Sequence, residues 1–261
     1  MTSPAHAAPT VLKTNQPSTP GSVLVTGASG GIGRGISSAF ARLGYRVGVH
    51  YHRRREEAAV TLEQVCAQGG RGALYEADIL EAEAVDRMVA TFCHESPPPY
   101  VFVCNAGVAA SALIVRQPEQ EWESVIQTNM TGTFHCLRAM GAALTGRGGG
   151  SVVVIGSHAG FHGATGQAAY AASKAGLVGL VKTAAKEWGS ANVRINLLLP
   201  GWQRTGLAQD AIPKTWADHA LHRPPALDDV ARTVVHLAGL QGTSGQIWNC
   251  DSRDLSGTGA S

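Results

Sequence analysis

The sequence predicts a single α/β domain of the doubly wound kind, a parallel sheet of about seven strands with helices on both faces. Three observations carry this expectation. Short apolar runs, many of them β-branched, alternate with longer stretches of helical period. The runs are apolar almost throughout, as strands covered on both sides are, and do not alternate with polar residues. No internal repeat and no linker divides the 261 residues, a length that suits one large core.

The elements follow in order. Strands are expected at 23–26, 46–51, 71–76, 100–104, 151–155 and 194–199, with a last short one at 246–249. Between the first two strands Ile32, Ile36, Phe40 and Leu43 recur at helical spacing. Val60, Leu62, Val65 and Cys66 mark a second helix, and Val85, Met88, Val89 and Phe92 a third. A long helix is expected from 122 to 144 and a longer one, rich in Ala and Leu, from 168 to 188. Residues 1–20, dominated by Pro, Ser, Thr and Ala without a continuous apolar run, are expected to form a flexible tail and not a secretory signal. Residues 21–261 then form the one domain, with an irregular stretch at 205–225 as a cover.

Composition excludes several classes. A net charge of +2 gives no whole-protein attraction to nucleic acid or to a membrane surface. No apolar run approaches the roughly 18 residues that span a bilayer. The five cysteines, Cys66, Cys93, Cys104, Cys136 and Cys250, are dispersed and form no CxxC. That usage fits buried thiols in a reducing cytoplasm and not a disulfide framework or a metal site.

The stretch TGASGGIG, Thr26 to Gly33, directly follows the first strand and opens the first helix. A helix N-terminus offers free N–H groups and a partial positive charge, worth roughly 0.3–1 kcal/mol to an anion. In this context Gly27 makes the turn, Gly31 allows close approach of a pyrophosphate, and Gly33 lets the helix pack on the strand. The site expected is that of a dinucleotide. The second strand ends in His50-Tyr51-His52-Arg53-Arg54-Arg55, with no acid to take a ribose 2′-hydroxyl. A guanidinium suits a 2′-phosphate, so the reading favours NADPH, with Arg53 as its phosphate contact.

Tyr170 and Lys174 lie four residues apart on the predicted helix, hence on one face. A phenol, with a pKa near ~10, is a poor acid at neutral pH, and a neighbouring ammonium is expected to lower that value. Tyr170 then exchanges a proton with a carbonyl or alcohol oxygen. Ser157, at the end of a strand on the same sheet edge, is placed to hold that oxygen.

These residues together resemble the short-chain dehydrogenase/reductase family over about residues 22–249. The motifs stand in order: Thr26-Gly27-x3-Gly31-Ile32-Gly33, Asp78, Asn105-Ala106-Gly107, Asn129, Ser157, Tyr170-x3-Lys174 and Pro200-Gly201-x3-Thr205. The resemblance implies a Rossmann-type fold and a role for each position. Ser29 and Ile32 complete the pyrophosphate loop, and Asp78 with Ile79 receives the adenine. Asn105, Ala106 and Gly107 line the adenine ribose and brace the central strand. Asn129 interrupts its helix and holds a water that links Lys174 to solvent, while Lys174 also holds the nicotinamide ribose. Pro200, Gly201 and Thr205 fix the nicotinamide end.

Within the family the stretches around 105–135 and 167–188 look most like 3-oxoacyl-[acyl-carrier-protein] reductases. That implies a cytoplasmic ketoreductase of fatty acid biosynthesis acting on a 3-oxoacyl thioester, free or carrier-bound, and a homotetramer built on the helices of 130–144 and 168–188. A polyketide, small ketone or sugar is the alternative substrate. A non-catalytic NADP-binding partner subunit, in a hetero-oligomer, is the alternative of another class. Three positions depart from the family pattern: Gly30 stands where many NADPH-using relatives carry arginine, Gln203 where an apolar residue is usual, and the C-terminus reads SGQIWNCDSRDLSGTGAS where an apolar stretch and DGG are usual. Arg147 is the cation near the expected carrier-docking place, and Ser190-Ala191 adds none beside it. His158, Phe161, His162 and Trp202 are expected to flank the pocket, with no metal role.

Overall fold

The computed structural model describes residues 20–203, 216–253 and 255. The expected tail up to residue 19, residues 205–215 of the expected cover, and Thr205 with them lie outside the described residues. The strands are β1 (Ser22–Val25), β2 (Arg46–Tyr51), β3 (Arg71–Glu76), β4 (Tyr100–Cys104), β5 (Gly150–Ile155), β6 (Val193–Leu199) and β7 (Ile247–Asn249). They form one seven-stranded sheet in the order β3-β2-β1-β4-β5-β6-β7, and every pairing is parallel. The doubly wound fold expected from the sequence is the fold found.

Parallel neighbours require crossovers, and the helices supply them: α1 (Gly31–Arg42), α2 (Arg55–Ala67), α3 (Ala82–Glu95), α4 (Glu119–Ile126), α5 (Thr133–Thr145), the single turn α6 (Ala159–His162), α7 (Ala168–Trp188) and α8 (Leu227–Gly239). Alternate strand residues feed two cores. Val23, Val25, Val153, Ile155 and Leu198 meet α1, α2 and α8 through Ile36, Phe40, Val65, Val230 and Val234. Leu24, Phe102, Val152, Val154 and Leu197 meet α3, α5 and α7 through Phe92, Met140, Leu144 and Leu177. A fully buried side chain of this size contributes about 1.5–3 kcal/mol, so both faces of the sheet resist exposure.

Local departures from the sequence pattern have physical causes. β1 ends at Val25, because Thr26 leaves the strand to tie two loops together. Leu43 closes α1 as a half-exposed cap residue. The buried face of α2 is Ala58, Thr61 and Val65, so Val60 and Cys66 point outward, and Cys66 is exposed, not buried as expected. The long helix expected over 122–144 is divided: a π-helical turn, Gln127–Gly132, separates α4 from α5. α8 was not anticipated. Its core positions Val230, Val234 and Leu237 have helical spacing, and the Arg194 guanidinium of β6 donates to its last carbonyls, Leu237 (3.4 Å) and Ala238 (2.9 Å). No described helix is long and apolar enough to cross a membrane.

Candidate active site

β1 and β4 are neighbours, yet the chain leaves them toward opposite faces, which opens a crevice at their carboxyl ends. Thr26 holds the crevice floor. Its Oγ1 accepts the N–H groups of Asn105 (2.9 Å) and Ala106 (3.1 Å) and donates to the Val103 carbonyl (3.2 Å). The Asn105 amide donates back to the carbonyls of Thr26 (2.9 Å) and Gly27 (3.1 Å). Gly27 turns the chain with φ +62°, the left-handed region that glycine enters without strain. At Gly33 a Cβ would fall 2.6 Å from the Gly27 carbonyl oxygen, so only glycine lets α1 close on the loop. The N-cap of α1 is Gly30, which has no side chain to cap the first turn. The N–H groups of Gly31, Ile32 and Gly33 therefore face the crevice mouth without a capping acceptor.

At the end of β2 the three arginines separate. Arg55 donates to the Tyr51 hydroxyl at 2.5 Å, and that hydroxyl donates to Glu76 at 2.7 Å. Arg53 is exposed and has no hydrogen bond or ion pair among the described residues. Arg34 is committed elsewhere, to Thr61 (3.1 Å) and to the carbonyls of Ser29 (3.1 Å) and Glu57 (3.3 Å). After β3, Asp78 accepts the Leu80 N–H at 3.0 Å and stands 3.6 Å from His52. Ile79 is buried beside Gly132, and its carbonyl lies 3.0 Å from His135 Nδ1.

On the far side of the crevice, Ser157 follows β5 by two residues and its Oγ accepts the Ala159 N–H at 3.2 Å. Tyr170 and Lys174 stand one turn apart on α7. Lys174 is only 6% exposed; its Nζ donates to the Ile155 carbonyl at 2.8 Å and lies 5.8 Å from the Tyr170 ring centroid. Burial lowers the Lys174 ammonium from 10.5 to about 8. The expected lowering of the phenol is not what the pocket produces. Burial pushes Tyr170 up, and the hydrogen bond with Ser157 pulls it only partly back. The residue is kept as a neutral phenol at pH 7, the form that donates a proton.

The π-helical turn places Asn129 between these groups. Its Oδ1 accepts the Val108 N–H (2.8 Å), and its Nδ2 donates to the Val108 carbonyl (2.9 Å) and to Ser173 Oγ (2.9 Å). Ser173 in turn donates to the Tyr170 carbonyl at 2.7 Å. The helix interruption expected at Asn129 is thus present, and its whole side chain is engaged in holding the β4 loop against α7.

Pro200 and Gly201 follow β6 at the same edge. The departure at Gln203 has a local reason: the buried amide donates to the carbonyls of Pro200 (3.0 Å) and Pro225 (3.1 Å), pinning the turn. Within the unusual C-terminal stretch, the described residues Asp251 and Arg253 join a charged cluster. Asp251, with a fully buried side chain, meets the Arg253 guanidinium and stands 3.2 Å from Nε2 of the equally buried His219, whose Nδ1 is 2.7 Å from Asp218. An open, mostly apolar depression of about 460 Å³ lies between Leu113–Val115, residues 163–166 and the first turn of α7 at Ala168 and Ala171; neither Ser157 nor Tyr170 lines it. Of the four residues expected to flank the pocket, His158 and His162 stack their rings with centroids 4.5 Å apart, Phe161 and Trp202 are partly exposed, and none of the four lines this depression at the start of α7. No group of described residues has the make-up of a metal site.

His50 and Ser173 were not legible as site residues, because the groups that engage them, the Gly27 N–H and the Asn129 amide, lie 23 and 44 residues away, which sequence spacing does not reveal.

With this geometry in view, the comparison with known families is decisive. Residues 22–216 match the model of the family described as short chain dehydrogenase. The chain belongs to this family. It is therefore an oxidoreductase that works with a nicotinamide cofactor, and the open first turn of α1, the glycine-only contact at Gly33 and the unpaired Arg53 fit such a dinucleotide. The 3-oxoacyl-[acyl-carrier-protein] reductase FabG of Staphylococcus epidermidis is 34% identical over 222 residues, 83% of this chain and 91% of the relative. That of Staphylococcus aureus is 35% identical over 222 residues, 83% of this chain and 90% of the relative. The 3-oxoacyl-[acyl-carrier-protein] reductase of Synechocystis is 35% identical over 72% of this chain and 76% of the relative. A solved structure assigned to the short-chain alcohol dehydrogenases, from Sinorhizobium meliloti, superposes with a TM-score of 0.83 at 27% identity, covering 90% of this chain and 96% of that one.

Proposed function

We propose that the protein is an NADPH-dependent reductase of 3-oxoacyl thioesters, with Tyr170 as the general acid. The observation that carries the reading is the convergence of Ser157, Tyr170 and Lys174 on one side of the crevice, opposite the open N-terminus of α1.

Thr26, Gly27, Ser29, Gly31, Ile32 and Gly33 hold the pyrophosphate, and Arg53 holds the 2′-phosphate. Asp78 and Ile79 receive the adenine, and Asn105, Ala106 and Gly107 the adjoining ribose. Pro200 and Gly201, joined by Thr205 on the family pattern, support the nicotinamide end. When bound, NADPH supplies the hydride. Ser157 orients the keto oxygen and stabilises its developing charge. Tyr170 Oη gives the proton, and Lys174 holds the nicotinamide ribose and, with the water that the family pattern implies at Asn129, replenishes that proton. Positioning two reactants and one acid in this way accounts for most of the rate a scaffold has to supply.

The acyl preference rests on two supports. The three reductase relatives are named for 3-oxoacyl groups on a carrier protein. The mostly apolar depression lined by Leu113, Ile114 and Val115 and by Ala168 and Ala171 of α7, the helix that carries Tyr170, suits an aliphatic chain. The same likeness supports a homotetramer through α5 and α7 and a cytoplasmic setting.

The test is a panel of acetoacetyl thioesters, free ketones and sugars, with NADPH and NADH consumption as the readout. Turnover of the thioesters ahead of the others, with NADPH preferred, is expected. Faster turnover of free ketones would replace the substrate by one like that of the alcohol dehydrogenases. Tight NADPH binding with no turnover on any carbonyl would overturn the catalytic reading. Arg53→Ala is expected to erode the NADPH preference at least roughly tenfold, about 1.4 kcal/mol of lost charge-assisted contact; an unchanged ratio would remove Arg53 from the phosphate site.

A further inference from the structure

The glycine loop is held from behind by a side chain that belongs to none of the motifs above. His50, the penultimate residue of β2, is 2% exposed. Its Nδ1 receives the Gly27 N–H at 3.0 Å, and its Nε2 lies 3.0 Å from the Ala77 carbonyl. A carbonyl only accepts, so Nε2 carries the hydrogen and Nδ1 presents its lone pair to Gly27. The His50 backbone carbonyl takes the next N–H, that of Ala28, at 2.9 Å. Two consecutive loop N–H groups thus point away from the crevice, which leaves the first turn of α1 as the donors that face it. Ala77 immediately precedes Asp78, so one imidazole joins the carboxyl ends of β1, β2 and β3.

We propose that His50 is a positioning residue for the dinucleotide: as a neutral ring accepting at Nδ1, it sets the Gly27 turn and thereby the height of the pyrophosphate loop above the sheet. The proposal rests on the nucleotide reading of this crevice and adds what fixes the loop's shape. Burial first, and His52 in addition, disfavour a charge on the ring, against the Ala77 carbonyl and Asp78, which favour it; the result is a value of about 4. The accepting form is therefore maintained across the neutral range.

Three full-length variants separate the loop bond from the tie between strands. In His50→Asn, Oδ1 takes the place of Nδ1 and accepts from Gly27. In His50→Gln, the amide reaches the Ala77 carbonyl and leaves Gly27 without its acceptor. His50→Leu loses both. NADPH and NADH affinities are measured by fluorescence titration, the nucleotide KM and kcat by thioester reduction, and Tm without nucleotide. Expected is a loss of roughly fivefold to tenfold in affinity for His50→Gln and His50→Leu, the worth of one hydrogen bond. The loss is equal for NADPH and NADH, because the pyrophosphate is common to both, and it falls on KM more than on kcat. His50→Asn is expected to bind within about threefold of wild type. The proposal is overturned if His50→Asn binds as weakly as His50→Gln, if no variant differs from wild type, or if affinity merely follows Tm. Should His50→Leu fail to fold, the Asn and Gln pair decides alone. A wild-type protein that binds neither nucleotide overturns the underlying reading of the crevice instead.

Discussion

Lys174 is the residue whose burial costs the fold most visibly. Its ammonium titrates at about 8, against 10.5 for an ordinary lysine. Below pH 8 folded and unfolded chains both carry the proton, and the fold bears the full cost of the buried charge. Between pH 8 and 10.5 the unfolded chain binds more protons than the folded one, so this group's destabilisation is relieved as pH rises through that window. In urea unfolding, the stability of Lys174→Met relative to wild type is expected to fall between pH 8 and 10.5; a constant difference would contradict the shift. Tyr170→Phe, which keeps ring and packing, is expected to lower kcat by about 10²–10⁴-fold, the range of a lost general acid, while Tm stays close to wild type. That Ser157, Tyr170 and Lys174 meet at one place was legible because residue type and spacing put them at one strand end and on one face of one helix. The direction of the phenol's shift was not, since it depends on how much solvent the pocket excludes. Burial raises the phenol, and what opposes it is the Ser157 hydrogen bond and not the ammonium.

Among the elements, the division of the α4–α5 rod bears most directly on the site. The expected long helix has the right span, but nothing in its apolar period marks the extra residue of a π-helical turn. Only the family pattern pointed to Asn129. The turn is held by the Asn129 amide bonds to both backbone groups of Val108. Asn129→Ala leaves these and Ser173 short of partners, and a loss of about 1–3 kcal/mol in urea unfolding is expected, with a larger proportional fall in kcat than in nucleotide affinity. An affinity loss matching the kcat loss would mean that the turn serves the dinucleotide and not the proton path. α8 was missed for a different reason. The irregular stretch before it, with Pro224-Pro225, interrupts the chain's alternation, and its first turn carries Asp228 and Asp229 where the apolar stripe begins. The acids complement the helix N-terminus, and the stripe becomes visible only from Val230 onward.

At the scale of the molecule, the strand–helix alternation sufficed for the architecture, because a strand apolar on both faces must lie between two helical layers. The strand order, and with it the crevice where β1 and β4 diverge, is not contained in that rule and comes from the structure. What the alternation could not reveal is how the chain's last described residues are anchored. Asp251 is shared between Arg253 and the neighbourhood of His219, and its carboxylate lies against Gly201, where a Cβ would come within 2.8 Å of it. Residues 251–253 therefore act as a fastening behind the Pro200–Gly201 turn. A protein cut short after Asn249 is expected to keep its α/β circular dichroism yet bind NADPH at least roughly tenfold more weakly, since the Pro200–Gly201 turn loses its backing. Any purification tag fused close behind Arg253 would tug on that same clasp, so an amino-terminal tag is the safer handle for measuring this enzyme.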